Sequence, residues 1–555
     1  PFLSNIMGID LQLQRGAVGE FTLHHQIGSP ATIDDFAPFE ENLHPGTTKH
    51  LGTNGGRPLN GSMPYFNVQW HGAGAIAVIG WPGQWAADFI RDGSAGLQVR
   101  GGQELTNLKL HPGEEIRSSL SVVQFYEGDT VRAQNIWRRW MMEYNVPRPA
   151  GKILQPQWNA FSSVQFAEMM LADEASQKRF IDRYLEEGIQ IDYWWMDFGW
   201  YYYQPPDIRY EADLKRFPNG LRAITDHGRS KGVKSIVWFE PENVNAHSKI
   251  YKEHPEWILD AGLGVMLVDL GNPQACQWMV DMVDGQLVKE GIDLYRQDFN
   301  MEPLEIWRQA DPPDRQGITE NQYLTGYLAF WDELRRRHPE MLIDSCSSGG
   351  RRNEMEAMRR AVPLWRTDYN NVGYVVFNYR IAPKEELARA LQCQTYGLAR
   401  WLPFFGAAAR DDDLYIFRSG IMPSVNSAWN VDNPELDYDL LRKCYREWRA
   451  VAGYMLGDYY PLTSYNQTAD TWMAWQFDRP EAGGGMIQAF RRAESSAFGY
   501  EFRLRGLDPQ GQYELTNFDS NTTVRMTGSA LLNPGLTIQI KTQPGSALFM
   551  YKKIE

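Results

Sequence analysis

Apolar and polar positions alternate in short runs over roughly the first 125 residues. The runs are separated by Gly, Pro and Asn, and they read FTLHHQ, YFNVQW, AIAVIGW, GLQVRGG and SSLSVVQFYEG. Alternation of this kind between turn residues predicts an antiparallel β-sandwich. A helical pattern follows over 129–144, and the stretch VPRPAGK at 146–152 indicates a domain junction. We place an amino-terminal domain at 1–147, and because the chain opens on Pro1 without Met, we expect this domain to be truncated.

Short apolar strands alternate with helical segments between about 153 and 460. Asp173 is predicted to begin one helix and Gly188 to end it, and Gly291 ends another. Five predicted helices each precede a strand, and these strands are IDYWWMD, KSIVWFEPE, IDLYRQDF, MLIDSCSS and PLWRTD. Helix-then-strand units in series predict a parallel sheet with right-handed crossovers.

Acidic residues end strand after strand in this region, and this favours a closed barrel over a doubly wound open sheet. They are Asp197, Glu240 with Glu242, Asp298, Asp344 and Asp368. A barrel brings all its strand ends to one mouth, whereas an open sheet forms its ligand crevice at one switch point. We therefore predict a (β/α)8 TIM barrel over 148–460. Seven further strand patterns predict a second antiparallel β-sandwich over 461–555.

Composition narrows the classes of function. The chain has 555 residues and a formal net charge of −14, which disfavours a nucleic-acid partner. No stretch approaches the roughly 18 apolar residues that span a bilayer, and the first residues lack the pattern of a secretion signal, so we predict no membrane partner and assign no compartment. The four cysteines are too scattered for a disulfide scaffold or a paired-cysteine metal site.

Two carboxylates at the predicted barrel mouth are candidates for cleaving a glycosidic bond. Asp298 ends the strand IDLYRQDF, and Arg296 would point from the same strand face and keep it ionised. Asp368 follows apolar Leu364 and Trp365, an environment that could raise its pKa towards that of a general acid. The alternative for either residue is a structural carboxylate paired with an arginine.

Metal-assisted hydrolysis is a competing interpretation, because oxygen-rich barrel mouths also bind divalent ions. The ten histidines are scattered, and no strand end carries the His and carboxylate set typical of zinc or iron. No dinucleotide or P-loop signature occurs in the expected strand-to-helix context. We therefore predict no metal and no organic cofactor.

Six motifs in order, YWWMDFGWY, VWFEPENV, HPEWIL, YRQDFN, SCSSGGRR and PLWRTDYNN, resemble those of the α-galactosidases of glycoside hydrolase family 36 and their clan relatives in families 27 and 31. The resemblance runs from about residue 158 to 371. It implies a retaining double-displacement mechanism with Asp298 as nucleophile and Asp368 as acid/base. It also implies sugar contacts, which fall on Asp197, Trp238, Arg296, Cys346, Gly349 and, more loosely, Trp158.

The chain departs from the family pattern at three of these motifs. Phe198 follows Asp197 where the family has a second Asp before Gly and Trp200, and Arg296 stands where the family has Lys. Arg351 replaces a glycine near the pocket. We include Phe198, Trp200 and Arg351 among the predicted substrate-binding residues: Phe198 replaces a carboxylate of the polar rim, Trp200 belongs to the same motif, and Arg351 could add a contact to an anionic group.

The resemblance therefore predicts an exo-acting α-glycosidase that removes a terminal α-galactosyl or related sugar from oligosaccharides or glycoconjugates. One alternative is the same fold acting on a β-L-arabinopyranoside, a 6-deoxy sugar or a modified galactoside such as an N-acetylgalactosaminide. Another is an inactive carbohydrate-binding protein. Family analogy also indicates a possible homo-oligomer. A retaining enzyme would hold its two carboxyl groups about 5 to 5.5 Å apart.

Overall fold

Two antiparallel sheets form the amino-terminal region, as the alternating runs predict. The structure, a computed structural model, describes residues 2–14, 20–203, 208–371, 383–410 and 413–554. A five-stranded sheet has the order Leu120–Glu127, Ala73–Gly80, Tyr65–Trp70, Phe21–Gln26 and Pro38–Leu43. A four-stranded sheet has the order Ile9–Gln14, Gly96–Gln103, Trp85–Arg91 and Thr48–Gly52. A third, small sheet joins this region to the middle of the chain through Phe2–Ser4, Asn107–Lys109 and Arg315–Gln316.

Seven parallel strands form the central sheet, and the prediction of a TIM barrel is confirmed. They run in the order Leu342–Ser345, Leu294–Gln297, Lys234–Phe239, Tyr193–Met196, Gln157–Phe161, Ser424–Ser427 and Gly406–Ala409. Segment 362–367 lies between the two edge strands. Val362 N donates to Ile343 O at 2.9 Å, and Gly406 N donates to Pro363 O at 2.9 Å. This segment closes the barrel as an irregular eighth strand.

The prediction of PLWRTD as a regular strand is wrong. Only isolated bridges form there, at Val362 and Thr367. Pro363 has no amide hydrogen to donate to a ladder. The next amide, of Leu364, donates instead to the Asp344 side chain at 2.7 Å. Asp368 therefore stands at the end of a segment held largely by specific side-chain and bridging contacts.

Helices surround the barrel, and their ends follow the predicted signals. Asp173 accepts a hydrogen bond from Ser176 N in a capping box, and Gly291 ends its helix in the left-handed conformation. The α-helices described are Thr130–Trp140, Glu174–Glu186, Arg222–Ser230, Lys249–Glu253, Pro273–Glu290, Leu304–Ala310, Ile318–Arg337, Met355–Met358, Lys384–Leu398, Leu414–Gly420, Tyr438–Val451 and Gly528–Leu532. Within the described ranges, none of them is both long and apolar enough to cross a bilayer.

The carboxyl-terminal region is again antiparallel. Its main sheet has the order Asp458–Pro461, Trp472–Arg479, Gly484–Arg491, Gly545–Lys553, Gln512–Asn517 and Thr522–Thr527. A smaller sheet pairs Gly499–Phe502 with Leu536–Gln539, and an apolar cluster of its own fills this region. The remaining short sheets decorate the barrel and consist of Tyr201–Tyr202 with Arg209–Ala212, and of Asn243–Val244, Met266–Val268 and Ile258–Asp260.

A buried arginine connects the barrel to the carboxyl-terminal region. Arg418, with 1% of its surface exposed, donates to both carboxylate oxygens of Glu447 at 3.0 and 2.8 Å and to Asp519 at 2.7 Å. Loss of one partner from a buried ion pair leaves an uncompensated charge.

We expect Arg418→Ala to lower the free energy of unfolding by about 3 to 5 kcal/mol, because buried Glu447 would keep only the more distant and partly exposed Lys443, at 3.8 Å, as its cation. Chemical denaturation of the purified protein measures this loss. The matched control is Arg525→Ala, since Arg525 is mostly exposed and pairs with Glu514 at 3.2 Å. The control should change stability by less than about 1 kcal/mol. Equal losses in the two variants would contradict the structural importance of the buried pair.

Candidate active site

A layer of charges covers the apolar interior of the barrel. The Arg296 guanidinium lies 4.7 Å from the centre of the Trp195 ring. It forms an ion pair of 3.0 Å with Asp197 and a shorter one with Asp344. All three charged residues are buried, and burial raises the pKa of both acids while Arg296 opposes that rise. The ion pairs thereby join the carboxyl ends of the strands Tyr193–Met196, Leu294–Gln297 and Leu342–Ser345.

Asp298 lies directly above this layer and accepts four hydrogen bonds. Trp238 Nε1 and Asn300 Nδ2 donate to one oxygen at 3.1 and 2.9 Å, and the amides of Phe299 and Ser348 donate to the other at 2.8 and 3.2 Å. Burial alone would raise the pKa of Asp298, but the Arg296 charge and these donors hold it below its ordinary value. The carboxylate is therefore ionised at neutral pH.

The pKa of Asp368 is shifted in the opposite direction from that of Asp298. Burial and the negative charge of Asp298 raise its pKa to about 7, against the opposing charges of Arg351 and Arg296. Two neighbouring carboxyls whose pKa values are driven apart are suited to different roles, one as a base or nucleophile and the other as an acid. Below pH about 7 the site therefore holds one ionised carboxyl, Asp298, and one protonated carboxyl, Asp368.

One glycine holds the segment that carries Asp368. Gly349 has φ +85°, and a Cβ added to it would lie 2.5 Å from Asp368 N. Its neighbour Ser348 donates its amide to Asp298. The motif SCSSGG thus contacts both acidic residues, one through an amide and the other through a close backbone approach that only glycine permits.

Aromatic rings form one wall of the site. Phe198 is half-buried, and its ring centre lies 5.3 Å from that of Trp238, 5.5 Å from Tyr203 and 5.9 Å from Tyr201. Trp238 in turn bonds Asp298. The substitution of phenylalanine after Asp197 therefore places an apolar ring within the wall that leads to the predicted nucleophile.

Two predicted substrate contacts are wrong. Trp158 is fully buried on the outer side of the barrel, where it packs on Phe417, Trp429, Tyr445 and Trp448. Trp200 is also fully buried, and its Nε1 donates to the backbone oxygen of Trp238 at 2.8 Å. Neither ring has surface on which a sugar could stack. Trp200 supports Trp238 from behind.

Cys346 and Arg351 lie beside the acids. Cys346 is buried among Arg296, Asp298 and Asp368, and burial raises the pKa of its thiol well above the ordinary value. Arg351 donates to Pro30 O at 3.0 Å, and its charge acts on Asp368. Arg351 therefore also joins the catalytic face of the barrel to a loop of the amino-terminal region.

Several residues at the site escaped the sequence analysis. Glu168, from the loop after the first barrel strand, interacts electrostatically with Asp197, Asp368 and Asp298. Asn300 bridges Asp298 and the Ser348 hydroxyl. The motif YRQDFN contains Asn300 and could have indicated it, but Glu168 lies in a loop with no recognisable motif.

The amino-terminal region also contributes to the support of the site. Asp35 accepts hydrogen bonds from Ser29 Oγ at 2.9 Å and, over a shorter distance, from the hydroxyl of Thr367, the residue before Asp368. Arg57 donates to Ser348 Oγ at 3.0 Å. The contacts of Asp35 with Thr367 and of Arg57 with Ser348 join residues about 300 positions apart, so no local pattern could predict them.

The fold is that of the α-galactosidases of glycoside hydrolase family 36. A stachyose complex of a substituted α-galactosidase AgaA from Geobacillus stearothermophilus superimposes with a TM-score of 0.83 at 19% identity, covering 98% of this chain and 76% of that one. Residues 134–376 match the family model described as Melibiase. This part of the chain is thus similar to the glycoside hydrolases of the melibiase type.

Curated relatives extend the similarity in sequence. The chain is 26% identical over 347 residues to α-galactosidase AgaA from Geobacillus stearothermophilus, covering 58% of this chain and 45% of the relative. It is 24% identical over 362 residues to α-galactosidase 1 from Pediococcus pentosaceus, covering 62% and 48%. The chain spans about half the length of these curated relatives.

We expect Gly349→Ala to lower the free energy of unfolding by about 2 to 4 kcal/mol, because the new Cβ adds a backbone clash to the cost of a left-handed alanine. Gly264→Ala is the matched control, since Gly264 has φ +80° and open space around its Cβ position. It should lose only about 1 kcal/mol. Chemical denaturation compares the two variants, and equal losses would show that the approach of Gly349 to Asp368 is not tight.

Proposed function

We propose that this protein is a retaining, exo-acting α-glycosidase that hydrolyses terminal α-galactosyl residues or those of a closely related sugar. The observation that carries the proposal is the pair of neighbouring carboxyls with opposite pKa shifts, Asp298 lowered and Asp368 raised to about 7. The match to the Melibiase family model and the α-galactosidase names of the relatives support the choice of reaction. Full membership of family 36 and its clan is part of the same proposal.

Asp298 acts as the nucleophile in this mechanism. Its ionised oxygen attacks the anomeric carbon, and the bond to the leaving oxygen breaks as a covalent glycosyl-enzyme forms. Arg296 and the donors on Asp298 keep the carboxylate ionised before attack. The same hydrogen bonds fix its direction, which reduces the entropic cost of reaching the reactive geometry.

Asp368 acts first as acid and then as base. It gives its proton to the departing oxygen in the first step, and in the second it takes a proton from the water that attacks the anomeric carbon. Once covalent bonding to the sugar removes the charge of Asp298, the pKa of Asp368 falls, because that charge is one cause of its elevation. The acid thereby becomes a base at the stage when a base is needed.

A specific observation favours a second candidate sugar. Phe198 presents an apolar ring within the aromatic wall, where the family has an aspartate. An unpaired buried hydroxyl costs about 1 to 3 kcal/mol. A β-L-arabinopyranoside, a 6-deoxy sugar or a modified galactoside could therefore bind better than galactose.

Stereochemistry in the presence of azide tests the assigned roles. We expect Asp298→Ala and Asp368→Ala to lose turnover by about a thousandfold or more. With Asp298→Ala, azide should restore turnover and give a glycosyl azide of inverted anomeric configuration, because one displacement by azide replaces the two displacements of the normal mechanism. With Asp368→Ala it should yield the retained product, because Asp298 still attacks first. Product NMR distinguishes these outcomes.

The control for these variants is Asp226→Ala, which removes an exposed carboxylate on an outer helix and should leave turnover unchanged. Full activity in Asp298→Ala would refute the mechanism. If the wild-type protein turns over no glycoside, and wild type and Asp298→Ala bind carbohydrate equally well, the protein is instead a carbohydrate-binding protein.

The pH dependence of kcat/KM follows from the pKa shifts of Asp298 and Asp368. Asp368 must be protonated, so activity should be present below pH about 7 and be lost as the pH rises through that value. Asp298 must be ionised and has a lowered pKa, so the acid limb should lie below the ordinary aspartate value of about 3.9. In Asp368→Asn, residual activity on an aryl glycoside with a good leaving group should lose the decline near pH 7. Persistence of a decline at pH 7 would assign it to another group.

A panel of p-nitrophenyl glycosides tests the sugar. If Phe198 disfavours galactose, the arabinopyranoside or 6-deoxy analogue should show the higher kcat/KM, and Phe198→Asp should move the preference towards α-galactoside by about tenfold or more. An enzyme that prefers α-galactoside and is unaffected by Phe198→Asp would exclude this second candidate.

A further inference from the structure

Glu168 is a buried acid at the site that the mechanism does not use. Only 9% of its surface is exposed. Within the part of the chain that the structure describes, no hydrogen bond or ion pair reaches its carboxyl group. Its carboxyl oxygens are not among the fully enclosed polar atoms, so they face open space beside Asp197 and Asp368, where they are free to bind a ligand that enters the site.

The backbone around Glu168 is unusual and firmly held. Ala167, Glu168 and Met169 are three consecutive non-glycine residues with positive φ, of 48°, 52° and 67°. The turn is closed by Glu168 N donating to Ser163 O at 3.0 Å and by Arg216 donating to Met169 O at 2.7 Å. Residues of this kind persist only where surrounding contacts enforce them. The turn therefore presents the Glu168 side chain in a fixed direction.

This turn contacts the turn that carries Phe198. Gly199 has φ +90°, and a Cβ added there would lie 2.9 Å from the main-chain carbonyl oxygen of Glu168. Among the neighbouring acids, Asp197 contributes most to the raised pKa of Glu168. Glu168 thus places a carboxyl group next to the position where this chain lacks the second aspartate of its relatives.

We propose that Glu168 is a sugar-recognition residue, which hydrogen-bonds one hydroxyl of the terminal sugar and supplies, from the loop after the first barrel strand, a polar contact that Phe198 cannot make. This inference rests on the proposed glycosidase function and deepens it. It implies that the sugar retains a hydroxyl on the side of Glu168 while an apolar face meets Phe198.

The chemistry of the site suits a protonated acid in this role. Burial, Asp197 and Asp368 raise the pKa of Glu168 to about 8, with Arg296 opposing and Asp298 adding to the rise. A neutral carboxyl can donate one hydrogen bond and accept another, and a sugar hydroxyl does the same. The charged groups that face Glu168 are Asp197, Asp298, Asp368 and Arg296, so ionisation of Glu168 would add a negative charge to an already acidic site.

Kinetics on parent and monodeoxy p-nitrophenyl glycosides tests the inference. For the best parent sugar, we expect Glu168→Ala to reduce kcat/KM at pH 6 by tenfold or more. For one monodeoxy analogue, the loss should shrink to less than threefold, because the hydroxyl that Glu168 binds is already missing. Glu186→Gln, an exposed change on the next helix, is the control and should have no effect on any substrate.

The isosteric variant Glu168→Gln separates recognition from folding. It should keep kcat/KM within about threefold of wild type at pH 6, because the amide can also donate and accept. In wild type, KM should rise above pH about 8 as the carboxyl ionises, whereas KM in Glu168→Gln should stay flat there. A structural role alone would not create this difference in KM.

The failures of the two proposals are distinguishable. If the wild-type protein turns over none of the parent glycosides, the proposed function fails and the role of Glu168 falls with it. If the wild type is active but Glu168→Ala stays within twofold on every substrate, only the Glu168 inference is overturned. Equal losses on the parent and all deoxy analogues, with the same KM profile in Glu168→Gln and wild type, would also overturn it.

Discussion

The ion pairs of Arg296 are the constraint on which the site depends. Its guanidinium lies on the Trp195 ring and pairs with Asp197 and Asp344, while Asp344 also accepts the amide of Leu364. A buried charge network is costly to desolvate and is retained only when nearly every group is satisfied. Here the same network orients Asp197, helps to keep Asp298 ionised and anchors the irregular segment that ends at Asp368. The Arg296 side chain thus joins its own strand to those that end near Asp197 and Asp344, and its charge acts on Asp298.

The second constraint comes from outside the barrel. The loop that carries Asp35 holds Thr367, Arg57 reaches Ser348, and Arg351 reaches Pro30. The segment before Asp368 lacks a regular ladder, so these contacts replace strand hydrogen bonds in fixing it. The amino-terminal sandwich is therefore a structural part of the site. This arrangement also explains how a barrel can keep an irregular eighth strand without losing the position of its acid.

Two contacting turns beside Asp298 and Asp368 differ in polarity. Phe198 places an apolar ring on one of them, and Glu168 places on the other a carboxyl group that no donor in the described part of the chain contacts. Under the proposed mechanism, reaction and specificity are carried by different residues, since bond cleavage needs two acids at fixed positions while discrimination depends on which hydroxyls find partners.

The sequence by itself determined the order of strands and helices, the two flanking sandwiches, the barrel, and Asp298 and Asp368 as the candidate pair, because periodicity, capping residues and strand-end acids are local signals. Trp158, assigned through the resemblance, and Trp200, assigned through its motif, were both misplaced, since a motif does not reveal whether an aromatic side chain faces the pocket or packs against the surrounding protein. Glu168, Asp35 and the irregular segment before Asp368 were decided only by the tertiary structure. Their roles arise from contacts between distant loops, and burial, which sets their charge states, does not exist until the chain has folded.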